Sequence, residues 1–216
     1  MHGEHAEQPR RDGLTEIIAP IDLEILHIIQ ETFASPAVDA AMAAITRLGD
    51  GGFLWFAIAA ALLFTKRFKA YGIAVIAAVA LDYLLGDIVI KNIVERMRPF
   101  LVDPDLATAL IPLPDSYSFP SGHTGSSFAA AIVLAAMPLR HRILKALPII
   151  AAALIGFSRL YLCVHFPTDV LIGMALGIGC GFIALGVMRW LTSPTCGLRA
   201  RGERLPSRTR TPEHRK

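Results

Sequence analysis

The chain has 216 residues, 54% of them hydrophobic, with a mean hydropathy of +0.51. A soluble domain of this length rarely carries so much apolar side chain, so the composition points to a membrane bundle. Residues 189–216 hold eight Lys or Arg and two Glu, a net +6 against +3 for the whole chain, which leaves −3 on residues 1–188. The basic residues form no aromatic-interleaved surface, which argues against a nucleic-acid partner. Cys163, Cys180 and Cys196 are odd in number and scattered, which argues against a disulfide framework or a zinc site.

Residues 1–13 are polar, do not read as a signal peptide and are expected to be disordered. From Leu14 to Phe33, isoleucines at 17, 18, 21, 25, 28 and 29 recur at helical spacing, interrupted by Glu16, Asp22, Glu24, Gln30 and Glu31. That pattern predicts an amphipathic helix lying at the membrane interface. Ser35-Pro36 starts a second helix over 37–48, ended by Gly49-Asp50-Gly51-Gly52. The two segments read either as interfacial helices or as a distorted first span.

Five apolar runs follow. Residues 51–65 are uncharged but number only 15, short of the ~20 that cross a bilayer core, and stop at Lys66-Arg67-Phe68-Lys69. Residues 70–90 form the second run, with Asp82 and Asp87 inside it. Residues 116–139 carry no charge apart from titratable His123, and residues 146–164 are broken only by Arg159. Residues 170–188 are the cleanest run; Gly173, Gly177 and Gly181 fall on one face and predict close helix packing. Between the second and third runs, 101–118 reads as an outer loop, with Asp103, Asp105, Asp115 and several prolines.

The expected fold is therefore all-α: an integral membrane bundle of about five transmembrane helices plus N-terminal amphipathic helices. Its organisation is a disordered N-terminus at 1–13, interfacial helices at 14–48, a membrane domain at 49–191 and a basic cytoplasmic tail at 192–216. With five spans, Lys66, Arg67 and Lys69, then Arg140, Arg142 and Lys145, then the tail share one side. The positive-inside bias makes that side cytoplasmic. The tail arginines can touch anionic membrane lipid. Arg10 and Arg11 run against this orientation if the N-terminus is outside.

Three polar stretches gather on the opposite side. Phe119-Pro120-Ser121-Gly122-His123-Thr124 opens the third run: Ser121 suits an N-cap, and Gly122 lets backbone approach a ligand closely. A helix start of this kind offers N–H groups and a positive dipole end to an anion. Lys91 and Arg98, seven apart, sit two turns apart on one helix face, which ends at Pro99. Ser158-Arg159 closes the fourth run, and His165 and Asp169 bracket the start of the fifth.

Lys91, six residues, Arg98-Pro99; Pro120-Ser121-Gly122-His123; Ser158-Arg159, five residues, His165, three residues, Asp169: in this order the stretches resemble the three-part signature of the type-2 phosphatidic acid phosphatase superfamily. The resemblance covers roughly residues 36–190 and matches at every signature position. It implies a membrane phosphatase acting on a lipid phosphate or pyrophosphate. Undecaprenyl pyrophosphate is the leading substrate, because compact members often serve that recycling step. Phosphatidic acid or phosphatidylglycerol phosphate comes next, then a phosphotransferase, and, in a different class, a transporter or scaffold without chemistry.

The residues fit that chemistry. Lys91, Arg98 and Arg159, with backbone N–H groups near Gly122, would grip phosphate; arginine bonds two phosphate oxygens at once. Charges near the membrane cost several kcal/mol each unless paired, roughly 2.5–3.5 on insertion scales, so three together call for an anionic ligand. His165 is assigned as the nucleophile forming a phosphohistidine, Asp169 as the residue that orients its ring, and His123 as the acid for the leaving oxygen. The family implies the same roles, with Ser121 adding a phosphate hydrogen bond. Metal binding by His123, His165 and Asp169 is the competing reading, but the cations would repel an ion, so no metal or other cofactor is expected. Asp87, four residues before Lys91, is placed to aim that lysine. Asp82 is either a functional intramembrane acid or a hydrogen-bonded structural one. The site is expected to face the outside of a multi-pass inner (plasma) membrane protein.

Overall fold

The computed structural model describes residues 13–108 and 110–193. The expected disordered N-terminus up to residue 12, Cys196 and the basic tail from 194 lie outside them. Every regular element among the described residues is helical.

Helix α1 (Gly13–Phe33) lies across one end of the bundle. Its Leu26 is buried against Leu106, Cys163 and Phe166, and its Ile29 against Phe100, Tyr161, Leu162 and Val164. Helix α2 (Pro36–Gly49) starts where expected: the Ser35 side chain accepts from the Val38 N–H, and Pro36 takes the first turn. It does not stop at Gly49. A short 3₁₀ turn (Asp50–Gly52) leads straight into α3 (Phe53–Leu63). Gly51 and Gly52 have φ of 55° and 70°, left-handed values that glycine adopts without penalty. What reads in sequence as a helix end is thus a kink inside the 28-residue run Pro36–Leu63, long and apolar enough to cross a membrane. Helix α2 runs on into the apolar stretch at 51–65, whereas the sequence pattern groups it with α1.

Helix α4 (Lys69–Tyr83) continues through a π-helical stretch, Leu84–Ile90, into α5 (Lys91–Val94). Pro99 starts the short α6 (Pro99–Val102). The central helix α7 (Gly122–Ala135) is shorter than the apolar run at 116–139. Residues 116–118 stay out of it because their backbone is used elsewhere: Arg98 donates to the carbonyls of Ser116 (2.7 Å) and Tyr117 (3.2 Å), and Ser118 N–H donates to Arg96 (2.8 Å). Helices α8 (Arg142–Tyr161) and α9 (Pro167–Thr192) complete the bundle.

Four helical runs among the described residues are long and apolar enough to cross a membrane: Pro36–Leu63, Lys69–Val102, Arg142–Tyr161 and Pro167–Thr192. Their large apolar side chains, such as Phe64, Ile73, Ile143, Phe182 and Trp190, are exposed, as a lipid-facing belt requires. Helix α7 has 14 residues, too few to be counted with them, and is walled in by α4, α8 and α9. Between α7 and α9 the backbones nearly touch. A β-carbon on Gly173 would meet the Ser121 carbonyl at 2.6 Å, on Gly177 the Gly125 carbonyl at 2.1 Å, and on Gly181 the Ala129 carbonyl at 2.9 Å. The glycine face of α9 is the contact.

Gly177→Ala should therefore lower the detergent-solubilised melting temperature, reflecting about 1–3 kcal/mol or more of overpacking. Gly179→Ala, whose β-carbon meets nothing within 4 Å, should not. Equal melting temperatures for the two variants would contradict the close-contact account.

Candidate active site

At the end of the bundle that α1 covers lies a cavity of about 520 Å³. Lys91, Arg98, Gly122, His123, Arg159 and His165 line it, six of the eight residues singled out from the sequence. They come from four places: the far end of the α4–α5 run, the residue before α6, the first turn of α7, and the end of α8 with the loop after it. Ser121 and Asp169 are not in the wall. Both are fully buried behind it, with the Ser121 N–H donating to the Asp169 carbonyl at 3.1 Å. The Ser121 hydroxyl shares a 2.9 Å hydrogen bond with that of Thr124.

His165 is buried in the loop between α8 and α9. Its Nε2 lies 3.4 Å from an Arg98 nitrogen. Its Nδ1 lies 3.7 Å from Asp169 Oδ2, beyond hydrogen-bond length, and has no other partner. Catalytic hydrogen bonds are often long before a ligand closes the site. Burial pushes the His165 pKa down to about 3, with the Arg159 and Arg98 charges acting in the same direction, so the ring is the free base at neutral pH. A neutral ring is what a nitrogen nucleophile needs. Asp169 is firmly held: Oδ2 accepts from the Phe166 N–H (2.9 Å) and from the Ser118 hydroxyl, and Oδ1 accepts from Arg96 (2.6 Å).

The cations are positioned unequally. Arg98 spends its donors on the Ser116, Tyr117 and Val164 carbonyls and the Ser116 hydroxyl, so it is a fixed part of the wall. Lys91 is paired with Asp87, and Gly122 has no β-carbon because Asp87 occupies that place, at 2.5 Å. Arg159 donates one bond, to Thr46 at 2.6 Å, while its Nε is buried with no partner. A buried, unpaired guanidinium nitrogen in a cavity wall is explained by an anionic oxygen that is meant to sit there. Asp82 also lines the cavity, pressed against Gly125, and its Oδ1 has no partner.

Several residues of this site carry no sequence signal. Asp50 bonds His123 Nε2 at 2.9 Å, and Thr46 bonds Arg159; both come from the run read as interfacial or as a helix end. Arg96 stands inside a quoted motif but has no distinguishing spacing. The signal that could have found Asp50 and Thr46 is their place just before the apolar run at 51–65, on the side where the motifs converge.

Among the described residues no cluster of three or more His, Cys, Asp or Glu could hold a metal ion. The family model described as the PAP2 superfamily matches residues 70–193, more than half of the chain. An undecaprenyl-diphosphatase of Sulfolobus acidocaldarius is 34% identical over 62% of this chain and 64% of its own length. A phosphatidylglycerophosphatase B of Bacillus subtilis is 35% identical over 70% of this chain and 75% of its own. A crystal structure of Aquifex aeolicus LpxE superimposes with a TM-score of 0.67 at 34% identity, covering 77% of this chain and 95% of the other. A Bacillus subtilis PAP2-type phosphatidylglycerolphosphate phosphatase gives 0.70 at 28% identity, covering 83% and 90%.

If Thr46 holds Arg159 for an anion, Thr46→Val should weaken binding of inorganic phosphate about tenfold, the lower end for a hydrogen bond to a charged group. A phosphate titration of the melting temperature reads the affinity. An unchanged affinity would mean that Arg159 needs no such support.

Proposed function

Because the chain belongs to the PAP2 superfamily, we propose that it is a multi-pass membrane phosphatase that hydrolyses a lipid phosphate or pyrophosphate through a phosphohistidine. The observation that carries this reading is one cavity holding the buried His165 together with Lys91, Arg98 and the unpaired Nε of Arg159.

The phosphoryl group is gripped by Lys91, Arg98, Arg159 and the start of α7, whose N–H groups and dipole favour anions. His165 Nε2 attacks phosphorus as the bond to the leaving oxygen breaks, and His123 gives that oxygen a proton. The ring becomes a cation, and its Nδ1–H swings onto Asp169, closing the 3.7 Å gap. Water then attacks the phosphohistidine, His123 takes the water proton, and phosphate leaves with Nε2 free again. Asp50 holds His123 for both transfers. No step calls for a metal: three cations already neutralise the charge a divalent ion would.

Undecaprenyl pyrophosphate is the leading substrate, supported by the name of the Sulfolobus relative. Phosphatidylglycerol phosphate or phosphatidic acid is the second reading, favoured by the Bacillus relative and by the structural neighbour with a TM-score of 0.70. A phosphotransferase would use the same first half-reaction. A transporter or scaffold is disfavoured, because nothing would keep Arg159 Nε unpaired beside two histidines. The basic connections at 66–69 and 140–145 follow α3 and α7, and Arg67 of the first donates to the Pro138 carbonyl, just before the second, at 3.3 Å. That charge bias supports a site facing the outside of the plasma membrane.

His165→Ala should reduce turnover of a lipid phosphate at least about a thousandfold while the protein stays folded; a folded variant that keeps several per cent of wild-type rate removes the nucleophile assignment. Wild-type activity should survive a chelator and be blocked by vanadate, which copies five-coordinate phosphorus on His165. Loss in chelator, restored by a divalent ion, points to a metal mechanism instead. For topology, Asp105→Cys, on a background without Cys163, Cys180 and Cys196, should react with an impermeant thiol reagent in intact cells. His141→Cys should not, and the reverse pattern would invert the orientation.

A further inference from the structure

The carboxylate behind His165 is held from outside the cavity, by a clasp that begins on α1. Arg96 gives one nitrogen to Asp169 (2.6 Å) and the other to Asp22 (2.7 Å). Thr168 fills the corner: its hydroxyl accepts from Arg96 at 2.7 Å and donates to Asp22 at 2.5 Å, and its N–H donates to Asp22 at 3.2 Å. The guanidinium lies 3.9 Å from the centroid of the Phe166 ring, the residue beside His165. Asp22 and Asp169 are 2% and 0% exposed. Arg96 does not line the cavity, and α1 lies outside residues 70–193, where the family model matches.

We propose that Asp22, acting through Arg96 and Thr168, is a positioning residue for the Asp169–His165 pair, which makes α1 a working part of the active site. The argument is one of charge. Forming the Nε2–phosphorus bond turns the His165 ring into a cation that Asp169 must balance, a point that rests on the phosphohistidine reading above. Arg96 alone would cancel Asp169. Asp22 occupies the other half of the fork, so two buried carboxylates and one part-buried guanidinium together keep a net charge of −1 behind the ring. The fork also fixes the rotation of the Asp169 carboxylate, leaving Oδ2 on the His165 side. An ion pair that merely pinned α1 in place would affect melting and leave the charge seen by the ring without consequence.

The test is Asp22→Asn, which keeps shape and removes charge, assayed on undecaprenyl pyrophosphate and on short-chain phosphatidic acid. We expect kcat to fall about tenfold, roughly the effect of one unit charge ~10 Å away at an effective dielectric of ~20, with KM little changed. Orthovanadate bonds to the same nitrogen and puts the ring in the same cationic state. Its affinity, read from melting-temperature titration, should weaken about as much as kcat. Glu24→Gln makes the same charge change on the exposed face of α1 and should alter neither. If Asp22→Asn does not fold, Thr168→Val loosens the same corner and should give an intermediate loss of both. A folded variant with a lower melting temperature but wild-type kcat and vanadate affinity overturns the proposal. A wild type that binds vanadate yet hydrolyses neither lipid refutes the substrate reading alone, and the vanadate comparison then decides. One that binds no vanadate overturns both.

Discussion

The whole site depends on how closely α7 and α9 approach. Gly173 and Gly177 let α9 lie against the carbonyls of Ser121 and Gly125, with no side chain between. That contact sets the first turn of α7, which carries Gly122 and His123, beside the first turn of α9, which carries Asp169. The Ser121 N–H then reaches the Asp169 carbonyl, so the two helix starts are joined by backbone as well as by packing. In a bilayer, where apolar surface gains little from leaving lipid, such close packing between small residues is a main source of helix association. A methyl group inserted there would push Gly122 and His123 away from Asp169.

The second condition is that charges remain charged in a poor solvent for them. Each cation solves this differently. Arg98 is neutral to its surroundings only in the sense that carbonyls surround it; Lys91 has Asp87; Arg159 is left partly open. The gradation has a functional sense. A wall made only of satisfied cations would bind an anion weakly, and one made only of unsatisfied cations would not fold.

The main outlines were legible in the sequence because they follow from chemistry that only certain residues perform. Apolar runs marked the long helices, and the glycine spacing marked the packing face of α9. Lys91, Arg98, Gly122, His123, Arg159 and His165 were singled out together and do share one cavity. What stayed hidden depends on partners more than 70 residues away: Asp50 on His123, Thr46 on Arg159, Arg96 between Asp22 and Asp169. An aspartate or threonine in an amphipathic segment looks the same whether it meets water or an arginine. Likewise Gly49-Asp50-Gly51-Gly52 carries every mark of a helix end, yet left-handed glycines carry the chain through a kink straight into α3. Local rules report the break in hydrogen bonding and say nothing of heading.

The π-helical stretch Leu84–Ile90 carries a further consequence, one of phase. An α-helix turns about 100° per residue, so residues five apart diverge widely around its axis, whereas a wider turn brings them nearly into line. Asp82, Asp87 and Lys91 all face the cavity because the helix slackens between them. Before the bulge, α4 keeps the register that packs it on α7; after it, α5 keeps a different register that turns Lys91 to the cavity. The bulge thus works as a gear between a structural rotation and a chemical one. Winding the same seven residues as a regular α-helix would leave the crossing helix long enough, apolar enough and well packed, with Lys91 turned by roughly 100° out of the site.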